Sequence, residues 1–333
     1  MTLLPLSPGE PPLRLGPFRT EAGVTLPDMR AAYRRDGPTL SSAVLVIHAL
    51  TGSADAAGDW WEPLIGPGRA LDTDERQVLC INLLGSCYGT TGPREVERFP
   101  PITPRDMARA QWAALDALGI DHLELVTGGS LGGMVALEVA LERHSAVEHV
   151  IPIAAPAAIG NLAAGWNHIQ LKLLELDRGR GLELARQLAM TTYRSEVDFD
   201  SRSEIGSYLE HQGVKLRQRF DAGSYAALAG AMNAHDIGRD RHGVLSAFRL
   251  LADAGVALTG VGIEGDILYG PRQVGDLVES ARSAGVDAFY REIRSDKGHD
   301  AFLVEWDQLT SLLREALARP TGAQPEAQIA ATA

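Results

Sequence analysis

The feature that most constrains the fold is a set of short apolar runs that alternate with helical patterns. The runs at 43–50, 77–85 and 146–155 carry few charges, as expected of strands that are buried on both faces. Residues 103–119 begin with a threonine and a proline and end at a glycine, which predicts a capped helix. This alternation predicts an α/β fold with a mostly parallel central sheet wrapped by helices.

A second feature is the stretch 160–245, which has several helical patterns, more charge and no convincing strand. After it the alternation resumes, with a strand, a helix, a strand and a last helix predicted at 255–266, 271–285, 287–295 and 300–317. An insertion at this point would cover the carboxyl ends of the strands, where open α/β sheets bind ligands. The predicted division is an α/β core at 1–159 and 246–320, a helical lid at 160–245 and a disordered tail at 321–333.

Composition narrows the class of partner. The 333-residue chain has a formal net charge of −12, which argues against a nucleic-acid partner or an anionic membrane surface. No stretch is apolar and long enough to predict a membrane span, and the proline-broken start does not resemble a signal peptide. Cys80 and Cys87 form neither a CxxC pair nor a disulfide framework, which favours a cytoplasmic location. The sequence contains no cluster of Cys and His residues of the kind that would predict a metal site.

The sequence GGSLG at 128–132 matches the G-x-S-x-G pattern between a predicted strand and a predicted helix. In that context the glycines permit a sharp turn, and Ser130 is presented above the sheet as a nucleophile. The amide of Leu131, at the start of the helix, can donate to an oxyanion. The alternative is a purely structural turn. A dinucleotide-binding loop is disfavoured because serine stands where the second glycine of G-x-G-x-x-G belongs.

A serine nucleophile needs a base and an acid that orients it, and in this arrangement they follow in the order Ser, acid, His. His299 lies after the last predicted strand and is the candidate base. His48 also ends a strand, but it precedes the serine and is expected to support the loop next to it. Asp266 ends a predicted strand and is the candidate acid, with Glu264 as the rival.

The second oxyanion donor should come from the loop after the first long strand. That loop begins HALTGSADAAGDWW, and the backbone amide of Leu50 or Thr51 is the candidate.

With these pieces in place, the chain resembles the homoserine O-acetyltransferase family of the α/β-hydrolase superfamily. The resemblance runs from about residue 15 to 317, well beyond the serine turn. It rests on long blocks that generic hydrolases do not share: VLVIHALTGSADAAGDWW, NLLGSCYGTTGP, GGSLGGMVALE, ARQLAMTTYRSE, IEGDILYGPRQ and GHDAFLVE.

The resemblance implies an α/β-hydrolase fold and acyl transfer from acetyl-CoA, as a co-substrate, to the hydroxyl of L-homoserine on the way to methionine. It assigns Ser130 as nucleophile, Asp266 as acid and His299 as base. It further implies substrate contacts at Arg186 and Tyr193. Asp300 matches the residue that holds the homoserine amino group, no cofactor is permanently bound, and members form homodimers through the helical insert.

Several alternatives remain open at this point. Leu131 stands where many members have methionine, and residues 94–96 are Arg-Glu-Val where the family more often has small polar residues near the acyl site. An arginine there suits a succinyl donor as well, and L-serine differs from homoserine by one methylene. A carboxylesterase or thioesterase, or a non-catalytic binding module, would share the scaffold. From the sequence pattern alone, Asp300 would be interpreted as the cap of the last helix and Arg186 as a solvated helix residue.

Overall fold

The computed structural model describes residues 11–318. The predicted disordered tail at 321–333 lies outside these residues. The strands are β1 Leu13–Arg19, β2 Thr25–Ala31, β3 Tyr33–Asp36, β4 Ser42–Ile47, β5 Ile65–Gly66, β6 Leu71–Asp72, β7 Val78–Ile81, β8 His122–Gly129, β9 His149–Ile153, β10 Ala257–Ile263 and β11 Ala288–Ile293. The helices are α1 Pro104–Ala117, α2 Leu131–Glu142, α3 Asn161–Leu176, α4 Arg178–Tyr193, α5 Glu196–Asp200, α6 Ile205–Arg219, α7 Ala222–Asn233, α8 Val244–Asp253, α9 Pro271–Ser283 and α10 Trp306–Leu317.

A seven-stranded sheet in the order β11-β10-β9-β8-β4-β7-β3 forms the centre of the fold. All pairs are parallel except β3 with β7, which closes one edge in the antiparallel sense. The prediction of an α/β-hydrolase fold with a mostly parallel sheet is therefore confirmed. Two short additional pairs, β1 with β2 and β5 with β6, lie outside this sheet.

Strand β4 shows why the apolar runs are continuous. Ala43, Leu45 and Ile47 pack into one buried cluster, and Val44 and Val46 pack into a second. The first cluster includes apolar residues of α1, α2, α8 and α9, and the second includes residues of α10. Because side chains alternate along a strand, both faces of the sheet must be covered, and neither face of β4 can be polar.

Helix α1 begins as its sequence predicts. The Thr103 side chain accepts a hydrogen bond from the Asp106 amide at 3.1 Å, and the Asp106 carboxylate accepts from the Thr103 amide at 3.2 Å. Pro104 takes the first helical position, and Gly119 follows the helix with a φ of 73°. This reciprocal cap satisfies two backbone donors that the first turn would otherwise leave without partners.

The helices α3 to α7 occupy the chain between β9 and β10, in the stretch predicted as the lid. Helix α4 packs against α3 and α6, and α3 also contacts α7. Helix α8 packs against α9 and α2 and contributes Ala247, Phe248 and Leu251 to the buried cluster of the sheet. No helix within residues 11–318 is long and apolar enough to cross a membrane.

Two features differ from the sequence-based expectations. The β1–β2 hairpin was not predicted, because its strands contain proline and glycine and bury only some of their residues. The predicted last helix at 300–317 begins later, at Trp306, with Glu305 as its N-cap. Residues Gly298–Leu303 form a tight helical turn instead, so Asp300 does not cap α10.

Candidate active site

The backbone at Ser130 is strained. Its φ of 57° and ψ of −123° place a non-glycine residue in a sparsely populated region between β8 and α2. The Ser130 amide donates to the Ile153 carbonyl of β9 at 2.9 Å, which anchors the turn to the sheet. A Cβ at Gly128 or Gly132 would lie 2.5 Å or 2.2 Å from the Ile47 carbonyl oxygen, so both positions require glycine. The surrounding packing therefore holds the serine at the carboxyl edge of the sheet.

His299 and Asp266 form a buried pair. Nδ1 of His299 lies 2.7 Å from Oδ2 of Asp266, which fixes Nδ1 as the donor. Oδ1 of Asp266 accepts from the amides of Leu268 and Tyr269 at 2.8 and 3.0 Å. Burial lowers the pKa of His299, but the charge and hydrogen bond of Asp266 outweigh it, so the pKa is raised. Glu264, the rival acid, is exposed, and the carboxylate that pairs with His299 is that of Asp266.

The nucleophile and the base face the same cavity without a closed hydrogen bond. Both Ser130 and His299 line a cavity of about 1230 Å³. Nε2 of His299 is buried and has no hydrogen-bond partner among residues 11–318. Such bonds are often long in a free enzyme and tighten with substrate bound. Nε2 is thus oriented toward the space where the reacting group would enter.

The candidate oxyanion donors lie beside Ser130. Leu131 is the first residue of α2, and Thr51 lines the cavity. Leu50 and Leu131 are buried and are not among the lining residues, so each could reach the cavity only through its backbone amide. Within the part of the chain that the structure describes, the amides of Leu131, Thr51 and Leu50 donate to no other group. Three candidate amides at the carboxyl edge of the sheet are therefore available to a negatively charged oxygen, and of these residues Thr51 lines the cavity.

His48 supports the loop that carries Thr51. Its Nδ1 donates to the Ala49 carbonyl at 2.8 Å, and its Nε2 accepts from the Leu83 amide at 2.9 Å. Burial lowers the pKa of His48 to about 4, against a smaller opposing effect of its hydrogen bond to the Ala49 carbonyl. The imidazole is consequently neutral at pH 7 and holds two loops together.

The three predicted substrate contacts line the cavity with Ser130. The Arg186 guanidinium lies 5.4 Å from the centre of the Tyr193 ring, and the Tyr193 ring lies 5.6 Å from that of His299. Burial raises the pKa of Tyr193 to about 12. Asp300 is mostly buried, and its Oδ2 lies 3.1 Å from Nη2 of Arg194. The cavity thus presents a cation and a carboxylate near the nucleophile.

Two arginines at this site were not identified from the sequence. Arg194 pairs with Asp300, and Arg219 at the end of α6 contacts Thr51. Arg194 directly follows Tyr193, but nothing in the pattern of the chain distinguishes it from a surface arginine. Among residues 11–318, no group of three or more His, Cys, Asp or Glu side chains is arranged to hold a metal ion.

Comparison with known proteins agrees with this geometry. A family model described as the alpha/beta hydrolase fold matches residues 42–204. Esterase E22 has the same fold, with a TM-score of 0.85 over 92% of this chain and 98% of that one, at 19% identity. The sheet and the strained serine turn therefore define a protein of the α/β-hydrolase class.

Relatives with higher sequence identity to this chain identify a family within the α/β-hydrolase class. A homoserine O-acetyltransferase of Thermus thermophilus is 42% identical over 342 residues, covering 89% of this chain and 88% of that protein. The crystal structure of homoserine O-acetyltransferase from Staphylococcus aureus has a TM-score of 0.83 at 30% identity, covering 94% and 96% of the two chains. The chain belongs to the homoserine O-acetyltransferase family.

Proposed function

We propose that this enzyme transfers an acetyl group from acetyl-CoA to the hydroxyl of L-homoserine through an acyl-Ser130 intermediate. The observation that carries the proposal is one cavity lined by Ser130, His299, Arg186 and Asp300, with His299 held by Asp266. The triad chemistry alone would suit a hydrolase equally well. The paired charges suit an amino-acid acceptor, because desolvating its ammonium and carboxylate without partners is costly.

The first half-reaction acylates the serine. Nε2 of His299 takes the Ser130 hydroxyl proton, and Oγ attacks the thioester carbonyl. Asp266 holds the imidazole in the required tautomer and stabilises the imidazolium that forms. The amides of Leu131 and Thr51 stabilise the oxyanion, the C–S bond breaks, and the CoA thiolate leaves with the proton from His299.

The second half-reaction uses the same groups on a different nucleophile. Arg186 binds the homoserine carboxylate, and Asp300 binds its ammonium while keeping its pair with Arg194. Nε2 of His299 takes the homoserine hydroxyl proton, and the hydroxyl oxygen attacks the acyl carbonyl of Ser130. Collapse of the tetrahedral intermediate breaks the bond to Ser130 Oγ, which recovers its proton from His299.

The experiment that tests this function follows free CoA released from acetyl-CoA with and without L-homoserine. The proposal predicts release that depends on homoserine, with O-acetylhomoserine as the product. Ser130→Ala is the control and should abolish release. Equal release with and without homoserine would contradict the proposal and support the second candidate, a carboxylesterase or thioesterase.

The identity of the acyl group is tested separately. Arg94 lines the cavity, and its cation could pair with a succinyl carboxylate. Kinetics with acetyl-CoA and succinyl-CoA, each against homoserine and serine, separate the four combinations. We expect acetyl-CoA with homoserine to give the highest kcat/KM, and an Arg94→Met variant to retain that activity. A succinyl preference that Arg94→Met removes would reassign the donor.

We also propose that the enzyme forms a homodimer through the helical insert. On α3, Leu162, Ile169 and Leu176 are spaced seven residues apart and are 65%, 50% and 83% exposed. Side chains at this spacing share one helix face, and an apolar face of this kind favours a partner helix. Light scattering should show a dimer that Ile169→Glu dissociates, whereas Arg249→Glu on the exposed face of α8 should not. A monomeric wild type would contradict this.

We further propose that this enzyme works in methionine biosynthesis in the cytoplasm. The reaction would supply an activated homoserine for methionine synthesis, with acetyl-CoA as co-substrate and no permanently bound cofactor. Cys80 and Cys87 are free thiols, which is compatible with the reducing cytoplasm.

A further inference from the structure

Arg219, the last residue of α6, reaches from the helical insert to the loop that follows β4. Its Nη1 donates to the Thr51 carbonyl at 2.7 Å and to the Tyr88 hydroxyl at 3.1 Å, and its Nη2 lies 3.4 Å from Oγ1 of Thr51. The Tyr88 hydroxyl donates back to the Arg219 carbonyl at 2.8 Å. Arg219 makes no ion pair with any carboxylate among residues 11–318. The hydrogen bonds of its guanidinium therefore go to neutral oxygens at the cavity wall.

The loop that carries Thr51 is held from two sides. From the sheet side, the Ala49 carbonyl accepts from Nδ1 of His48 at 2.8 Å and from the Gly52 amide at 3.0 Å. From the insert side, Arg219 holds both the carbonyl and the hydroxyl of Thr51. With both sides fixed, Thr51 has little freedom to rotate, and the direction of its amide is set before any ligand binds.

We infer that Arg219 is a positioning residue that aims the Thr51 amide at the oxyanion formed on acylation of Ser130. The inference rests on the proposed acyl-Ser130 intermediate and adds a residue to it. An oxyanion donor contributes only when it lies at hydrogen-bond distance from the developing charge, and loss of one typically costs about 10²–10³ in rate. A donor that becomes mobile keeps part of this effect, so releasing Thr51 should cost on the order of 10-fold or more.

The experiment measures acylation of Ser130 by p-nitrophenyl acetate, followed as the burst of p-nitrophenol, in wild type and Arg219→Met. Neither CoA nor homoserine takes part, so the result does not depend on the natural donor or acceptor. The same measurement uses the matching thionoester, whose sulfur is a weak hydrogen-bond acceptor. We expect Arg219→Met to slow acylation by the oxygen ester about 10-fold or more, and by the thionoester less than about 3-fold.

A merely structural role for Arg219 predicts a different pattern. If Arg219 had only a structural role, Arg219→Met would slow acylation by both esters equally or by neither. Either result overturns the inference. Arg180→Met removes an exposed insert arginine that pairs with Glu183 and makes no hydrogen bond to Thr51 or Tyr88, and it should leave both rates unchanged. If Arg219→Met does not fold, Tyr88→Phe makes the same comparison, because it removes the hydroxyl that holds Arg219. Failure of wild type to acylate at all would instead refute the proposed function.

Discussion

Replacement of His48 by glutamine should remove a large part of the acid sensitivity of this protein. The imidazole is completely buried and joins the Ala49 carbonyl to the Leu83 amide. Burial disfavours the imidazolium and lowers the pKa of His48 from 6.5 to about 4. Glutamine keeps a donor and an acceptor of similar reach but does not titrate in this range.

The magnitude follows from the two pKa values of His48. Between pH 6.5 and about 4 the unfolded chain binds a proton at His48 that the folded protein does not, so stability falls as the pH falls. The contribution is complete above pH 6.5 and is lost below about pH 4. At about 1.4 kcal/mol for each pKa unit, the full effect is about 3 kcal/mol in the free energy of unfolding.

Urea denaturation at pH 7 and pH 5 measures this effect. We expect wild type to lose about 2 kcal/mol more than His48→Gln over this interval, which covers part of the titration. The difference between variants cancels the other titrating groups. His211→Gln, which removes an exposed histidine of α6, is the control for losing a histidine as such. An identical loss of stability in wild type and His48→Gln would refute the reasoning.

Three further predictions test the site and its packing. Asp266→Asn should lower kcat by about 10⁴-fold. It should also lower the pH at which activity is half-maximal, because Asp266 raises the pKa of His299 and the base must be neutral to act. Gly132→Ala should destabilise the fold by about 3 kcal/mol or more in thermal unfolding, since its Cβ would lie 2.2 Å from a backbone oxygen, whereas Gly230→Ala has open space and serves as control. Trp61→Phe should cost about 1 kcal/mol of unfolding free energy for the lost 2.9 Å bond to the Phe302 carbonyl, and more for the cavity left by the fully buried indole.

Local signals explain most of what the sequence predicted about the fold. The buried residues of β4 and β7 are apolar because both faces of these strands are covered. The residues that cap α1 lie next to it in the sequence. The serine turn was also visible, because glycine is required wherever a side chain would strike the Ile47 carbonyl. By contrast, the β1–β2 hairpin carries no such pattern and depends on its contact with α1.

The site residues that were missed depend on long-range contacts. Arg219 contacts Thr51 across 168 positions of sequence, and Arg194 meets Asp300 only when α4 packs on the turn at Gly298–Leu303. The choice between Asp266 and Glu264 also needed the fold. Strand β10 ends at Ile263, and the turn that follows leaves Glu264 exposed while Asp266 is buried against His299.

The most direct test of the central claim follows the acetyl group itself. The protein is mixed with acetyl-CoA that carries an isotopic label in the acetyl group, and the reaction is quenched before or after a chase with L-homoserine. After digestion, mass spectrometry measures the mass of the peptide that contains Ser130. The account predicts an acetylated Ser130 whose label then appears in O-acetylhomoserine. An unlabelled Ser130, or label that appears only as free acetate with homoserine present, would contradict it.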